Sequence, residues 1–504
     1  MTSQFQHVPI IEVDKDNFTE MWPQILLAMK TSTFISIDAE LSGLGERKKL
    51  NSKDVEERYS LMSEVARTRS ILSIGLSCFK IQPPRSPESE KSENMDKSLT
   101  FLVQTFNLVL LCCQDYIVEP MSLEFLVNHG FDFNKQYAKG IHYYRGNDKK
   151  DAKKDQKMMR QLFSELLIAQ VPIVCHNGLV DLVYLRQNLY AELPGKLSTF
   201  ISDLSEMFSA GVYDTKYIVE FESRMQATYL EYVFKKSQRD NNVNATTGKR
   251  FVKLDFIKYP ESFLNVVLTQ CVPEEVQASI DAMQVCENYA NFGWCSLGST
   301  CPKSHNLDDI LDHENSVLDK KAEKKKNRRK RKRKQSNNTE TEDIENEESS
   351  MSRPETNVLN KELDMTTNGL ASAVIGTPAE SGVKIHSSET KSVDDAPDRN
   401  SSGTVITSAT SHLTRGQNGG HRAGFDAFMT GFAMATFITK CGKYETKDIS
   451  AKTIMADFKI ESMVNRVFLC GKDFPLQIAK SNFSKTSKDH SEKWEKLCIL
   501  AGQK

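Results

Sequence analysis

Short apolar runs rich in β-branched residues punctuate the first 240 positions: "TFISID" (33–38), "RSILSIGLSCF" (69–79), "LVQTFNLVLL" (102–111) and "VPIVCH" (171–176). Runs of this length, bounded by polar or turn residues, predict strands. Between them "FTEMWPQILLAMK", "DQKMMRQLFSELLIAQ" and "LVDLVYLRQNL" repeat apolar residues at three- and four-residue intervals, which gives a helix one apolar face. Early strands able to pair as a meander, then strands alternating with helices, predict an α/β fold on a mixed sheet with flanking helices. From about Asp312 to Arg415 apolar residues thin out and Ser, Thr, Asn, Glu and Lys take over, which predicts a disordered linker. Order is expected to return at "GGHRAGFDAFMTGFAMATFITK" (419–440), a Gly-rich entry to a strongly apolar helix, and at the strand-like "NRVFLCG" (465–471). One helix and one strand cannot bury themselves, so this piece is predicted to pack back onto the first. The chain then divides into a core (1–240), a connecting segment (241–280), a small module (281–310), a linker (311–415), the second part of the core (416–480) and a tail (481–504). No internal repeat is visible.

A chain of 504 residues is too long for one compact core, so two or three folded units are expected. With 66 basic and 67 acidic residues, net charge points to no partner, but the distribution does. Residues 320–334, "KKAEKKKNRRKRKRK", hold 12 basic residues among 15, and the acidic "ETEDIENEE" follows. Lys324, Lys325, Lys326, Arg328, Arg329, Lys330, Arg331, Lys332, Arg333 and Lys334 read as a nuclear localisation signal for an import receptor, with a nonspecific RNA-binding arm as the other reading. The N-terminus has no basic region followed by an apolar core, and no stretch approaches roughly 18 uninterrupted apolar residues, so a soluble protein without a membrane partner is expected.

Eleven cysteines without dense regular spacing suit a reducing compartment. One cluster departs from that pattern. In "CENYANFGWCSLGSTCPKSH", Cys286, Cys295, Cys301 and His305 stand at C-x8-C-x5-C-x3-H. Four soft or borderline ligands at these intervals predict one closed, tetrahedral and therefore structural Zn²⁺, as in a CCCH finger of the RNA-binding kind. Tyr289, Phe292 and Trp294 lie between the first two ligands. One or two of them must cover the metal, and an exposed ring would stack on an RNA base, with Lys303 adding a phosphate contact. The alternative is that all three cover the metal, or that the finger binds protein. Flexible joints are expected on both sides, so that finger and core fail separately.

The strand "FISID" ends in Asp38 and, two positions on, Glu40. In a strand, i and i+2 face the same way, so two carboxylates would crowd one spot beside an apolar core. A divalent cation such as Mg²⁺ or Mn²⁺, which favours hard oxygen ligands, would compensate them. A lone D-x-E is more commonly a solvated strand end. Asp181 follows the turn His176-Asn177-Gly178 in the first turns of a helix, and His421 precedes Asp426 by five positions at the apolar helix. Each is a weak signal singly. His176 and Asn177 read as turn and supporting residues, and Asp214 as a capping acid outside the metal set.

Together, "DAE" after an apolar strand, "HNGLVDL" and "HRAGFDAFMTG" resemble the ordered motifs of the DEDDh 3′→5′ exonucleases. "ERYSLMSEVARTRSILSIGLSCF", "HGFDFNKQYAKGI" and "YDTKYI" are similar to the poly(A)-specific ribonuclease branch of that family. The similarity spans 25–240 and 416–475. With the finger and basic block, the whole chain resembles the vertebrate nuclear deadenylases associated with Cajal bodies. The resemblance implies an RNase H-like DEDD core interrupted by the finger and linker. It also implies two Mg²⁺ (or Mn²⁺) held by Asp38, Glu40, Asp181 and Asp426, with His421 as general base and Glu40 helping to orient the water. Poly(A) tails and the oligoadenylated or extended 3′ ends of small nuclear RNAs would be substrates, in the nucleus, in Cajal bodies or speckles, alongside Cajal-body components. The departure is spacing: Asp181 and Asp426 stand 245 positions apart. Two other readings are a DNA-directed exonuclease and a zinc-finger RNA-binding scaffold on a dead nuclease fold. All four carboxylates and the histidine being present argues against the second.

Overall fold

The computed structural model of the chain describes residues 7–46, 50–84, 97–263, 265–271, 284–336, 422–500 and 502. The strands are β1 (His7–Val13), β2 (Phe34–Leu41), β3 (Ile71–Gln82), β4 (Ser98–Cys112), β5 (Ile141–Tyr143), β6 (Ile173–Cys175), β7 (Val212–Asp214), β8 (Phe251–Phe256), β9 (Val267–Cys271), β10 (Arg466–Val467) and β11 (Leu476–Gln477). They join in one mixed sheet in the order β11-β10-β7-β6-β2-β3-β4-β1-β9, with β5 and β8 also paired to β4. The main helices are α1 (Phe18–Thr31), α2 (Val55–Thr68), α3 (Pro120–Asn128), α4 (Phe133–Lys139), α5 (Lys154–Ile168), α6 (Leu179–Leu185), α7 (Leu197–Met207), α8 (Leu230–Thr246), α9 (Glu287–Phe292), α10 (Leu307–Ser336), α11 (Ala423–Cys441) and α12 (Lys488–Leu500).

The α/β expectation with a mixed sheet holds, and the alternation of β2 shows how the site is built. Ile35, Ile37, Ala39 and Leu41 belong to the core cluster that also holds α1, α5 and α6 side chains. Phe34, two, four and six positions before Ser36, Asp38 and Glu40 on the other face, joins the cluster made by α8 and α11. Helix α11 is buried nearly all round, as an apolar helix without a polar face must be. It packs against the sheet through glycines. A Cβ on Gly75 would fall 1.8 Å from the Ala423 carbonyl oxygen, and one on Gly431 would fall 2.1 Å from the Phe79 ring.

Three boundary expectations are corrected. The connecting segment 241–280 supplies part of the sheet: β8 runs parallel to β4, and β9 antiparallel to β1. The tail forms α12, whose His490 is buried and bonded to Tyr190 and Glu206. The linker expected from Asp312 is helical as far as Ser336. Lysine, arginine and glutamate are good helix formers, and the start of α10 is fixed to α8. There Ile310 and Leu311 are buried, and Asp308 bridges Lys235 at 3.2 Å and Arg239 at 2.7 Å. The rest of the predicted linker, from 337, lies outside the described residues. Among the described residues no helix is long and apolar enough to cross a membrane.

Candidate active site and metal centre

Asp38 and Glu40 sit at the end of β2, and Asp426 in the first turn of α11. Their carboxylates offer oxygens that all lie within 4.8 Å of one another, although Glu40 and Asp426 are 386 positions apart in sequence. Glu40 is 1 % exposed and Asp426 4 %. The join depends on Gly75, which pairs with Asp38 across β2 and β3 and lets the start of α11 touch the sheet. Gly424 adds a hydrogen bond from its N–H to Asn107 Oδ1 at 3.0 Å, and Arg422 pairs with Glu12 at 3.7 Å. Three hard carboxylate donors at this separation fit a small divalent cation such as Mg²⁺ or Mn²⁺. Gly75→Ala should therefore push α11 off the sheet. Such overpacking costs about 1–3 kcal/mol, or several degrees in Tm, and nuclease turnover should fall further than the loss of folded protein accounts for. Thermal melts beside an activity assay check this.

Asp181, the third residue of α6, is not part of that three-carboxylate group. Burial first, then the charges of Asp214, Asp181 and Asp38, push up the pKa of the Cys175 thiol. Burial, with the negative Asp214 beside it, pushes the Asp181 carboxyl up to about 7. Asp214 does cap, as expected from the sequence. It is fully buried and accepts from the backbone N–H groups of Asn177, Gly178, Lys216 and Phe468. His176 is a supporting residue. Its Nε2 donates to the Thr228 carbonyl at 2.9 Å, and burial, then the nearby Lys216, pushes its pKa down to about 3. The neutral ring accepts at Nδ1 from the Thr215 hydroxyl, 2.9 Å away. His421 lies outside the described residues.

Sequence reasoning missed the brace on the chain just after Glu40. Glu119 accepts from the N–H groups of Leu44 (3.0 Å) and Gly45 (2.8 Å) and pairs with Arg69, while Tyr184 donates to the Gly43 carbonyl at 2.7 Å. An isolated glutamate before "PMSLEF" carries no local sign of this, because its partners are 50 to 75 positions away.

The four finger residues do converge. Cys286, Cys295, Cys301 and His305 offer ligand atoms within 4.8 Å of one another, a donor set suited to Zn²⁺. The finger is not on a free joint. Tyr289 stacks on His305 with centroids 4.4 Å apart and meets Tyr229 of the core edge-on at 6.2 Å. Tyr289 is thus corrected from a base-stacking candidate to a ring that covers the metal site and joins it to the core. Phe292, Trp294 and Lys303 are half-buried. Lys324, Lys325, Lys326, Arg328 and Arg329 are exposed on α10, whose backbone continues through Lys330, Arg331, Lys332, Arg333 and Lys334.

The fold thus sets two carboxylates of a central strand against a third from a buried helix, an arrangement that could hold a divalent cation. The model of the CAF1 family ribonuclease matches residues 13–158 and 152–434, and the chain belongs to that family. The pre-piRNA 3′-exonuclease trimmer of Bombyx mori is 26 % identical over 216 residues, 41 % of this chain and 35 % of its own. The poly(A)-specific ribonuclease PARN of Homo sapiens is 27 % identical over 162 residues, 31 % of this chain and 23 % of its own. PARN of Danio rerio is 29 % identical over 138 residues, 26 % of this chain and 20 % of its own. The chain thus spans about a third or less of the length of these relatives. The solved structure of S. pombe Pop2p in its Mg²⁺- and Mn²⁺-bound form aligns at 19 % identity and a TM-score of 0.34, over 46 % of this chain and 82 % of that one.

Proposed function

We propose that this protein is a divalent-metal-dependent 3′→5′ exoribonuclease that removes 3′-terminal adenosines, acting as a nuclear deadenylase. The observation that carries the reading is the convergence of Asp38, Glu40 and Asp426 on a CAF1 family domain. These residues, with Asp181 beside them, would hold two Mg²⁺ or Mn²⁺. When bound, the metals supply an activated water and charge stabilisation at the leaving 3′-oxygen. The chain's own part is to hold the carboxylates on one face of β2 and α11. His421 would take the water's proton, a task matched to an imidazole's ordinary pKa. Resemblance to the poly(A)-specific ribonuclease branch supports poly(A) tails as substrates, and the whole chain's resemblance to nuclear deadenylases associated with Cajal bodies supports oligoadenylated or extended small nuclear RNA 3′ ends as substrates and Cajal-body components as neighbours. The finger would carry one structural Zn²⁺ and offer Phe292, Trp294 and Lys303 to RNA.

Purified protein incubated with 5′-labelled RNAs ending in A, U or C, and with a matched DNA, with and without Mg²⁺, tests this. Shortening from the 3′ end of the A-ended RNA only when metal is present is the expected result. Faster loss of the DNA would make the enzyme a DNA-directed exonuclease, and no loss of any strand would leave an RNA-binding scaffold.

The basic block would direct nuclear import. Deleting 320–334 removes the basic stretch of α10 and spares the turns fixed by Ile310, Leu311 and the Arg239 bridges to Asp308 and Asp312. The truncated protein should leave the nucleus yet retain wild-type turnover of short oligo(A), measured by imaging and by assay of purified protein. Fully nuclear protein would show that another import signal suffices.

A further inference from the structure

A continuous line of contacts leads from the finger to the turn that precedes Asp181. Tyr289 lies flat on the imidazole of His305, with 7° between the planes, and its other neighbour is Tyr229, met at 74°. Gly293, at φ +69, closes over the same Tyr229 so tightly that a Cβ there would sit 2.7 Å from a ring carbon. Tyr229 is 2 % exposed and stands directly before the first residue of α8. The residue before it, Thr228, accepts the Nε2 proton of His176. His176 closes β6. The next residue, Asn177, stands at φ +61, a left-handed conformation that asparagine adopts more readily than most non-glycine residues. Asp214 grips the N–H groups of Asn177 and Gly178, and α6 begins directly afterwards, with Asp181 as its third residue. The second attachment, where Asp308 and Asp312 meet Lys235 and Arg239, clamps the chain just beyond His305 to the same helix α8.

We propose that the finger is a structural support of the active-site turn, with Tyr289 as a positioning residue. Metal bound by the four finger ligands holds His305 and so keeps Tyr289 flat. Tyr289 holds residues 228–229, and the Thr228 carbonyl holds His176 and with it the turn that leads into α6 and Asp181. Metal occupancy of the finger thereby sets the geometry of the hydrolytic site, over and above any capture of RNA by the half-buried Phe292 and Trp294. This inference rests on the exonuclease reading for its kinetic consequence, though not for its structural one.

The test pairs backbone hydrogen exchange with kinetics on the full-length chain. Wild type, Tyr289→Ala and Tyr289→Phe are compared zinc-loaded, and wild type is also examined after a zinc-selective chelator. Exchange is read without Mg²⁺ at residues 176–182. Turnover is read on an oligo(A) too short to reach the finger. Tyr289→Phe should match wild type, because the ring and not the hydroxyl makes the joint. Tyr289→Ala and zinc removal should each speed exchange at 176–182 about tenfold or more. They should also lower kcat about 10- to 100-fold, as expected for a small misplacement of a reacting group, with KM changed less than about twofold. Faster exchange confined to 284–306, with 176–182 unchanged, would overturn the inference. Should Tyr289→Ala not fold, the chelated wild-type chain gives the same comparison. A wild type with no nuclease activity would remove the exonuclease reading, while the exchange data still decide whether the finger supports the turn.

Discussion

Asp38→Asn or Glu40→Gln should leave a folded protein whose nuclease turnover has dropped on the order of 10³-fold or more. Each change keeps side-chain volume and removes one negative oxygen donor from a cluster that spans only 4.8 Å. The cluster has opposite effects on stability depending on what fills it. Without a cation, like charges this close repel, so neutralising one should leave Tm unchanged or raise it. With Mg²⁺ at about 100 times its dissociation constant, wild type should gain roughly 2.7 kcal/mol, several degrees in Tm, and the substituted proteins much less. Melts with Mg²⁺ and with chelator, beside turnover of labelled oligo(A), separate the two effects. A folded Asp38→Asn/Glu40→Gln protein that shortens oligo(A) at the wild-type rate would remove the site from the chemistry.

Much of this site was legible because its signals are local. The apolar run at 33–38 continues as β2 through Leu41, and the two-residue period that puts Asp38 and Glu40 on one face is visible in "FISIDAE". "FTEMWPQILLAMK" is α1 nearly to the residue, and the Gly-rich entry to α11 announced a buried helix with Asp426 in its first turn. What the sequence hid depends on distant partners. "FVKLDF" is a half-exposed strand of weak alternation, and nothing local says that Phe251 pairs with Ser98, 153 positions earlier. The composition of 311–336 reads as disordered because few of its residues are apolar. Ile310 and Leu311, just at its edge, bury against α8 and nucleate the helix. Tyr289 looked like a binding ring for a similar reason. An aromatic beside a metal ligand can face RNA or core, and Tyr229, 60 positions away, decides it.

The tail shows the same limit with the largest energetic consequence, because α12 is fastened by a charge pair that no local pattern reveals. Arg186 and Asp203 are both fully buried and meet at 2.5 Å. Asp203 also accepts from the Ser487 N–H at 2.8 Å and hydroxyl at 2.7 Å, which places its carboxylate at the positive end of α12. His490, bonded to Tyr190 and Glu206, Trp494 stacked on His490, and Leu497 in the core then follow along the helix. Asp203→Ala removes the partner and leaves the Arg186 guanidinium without its counter-charge in the interior. Breaking a buried pair this way costs about 3–5 kcal/mol, which corresponds to a fall in Tm on the order of 10 °C. The double substitution Arg186→Met/Asp203→Leu should recover only part of that loss: the desolvation cost of both charges disappears, but the Ser487 groups and the Ala191 and Glu192 carbonyls lose their partners. Limited proteolysis should cut α12 early in Asp203→Ala and late in wild type, since the helix loses its N-terminal anchor. Chemical denaturation of the single and double variants, with proteolysis beside it, checks the argument. A single variant within about 1 kcal/mol of wild type would mean that solvent or another donor reaches Arg186 once Asp203 is gone.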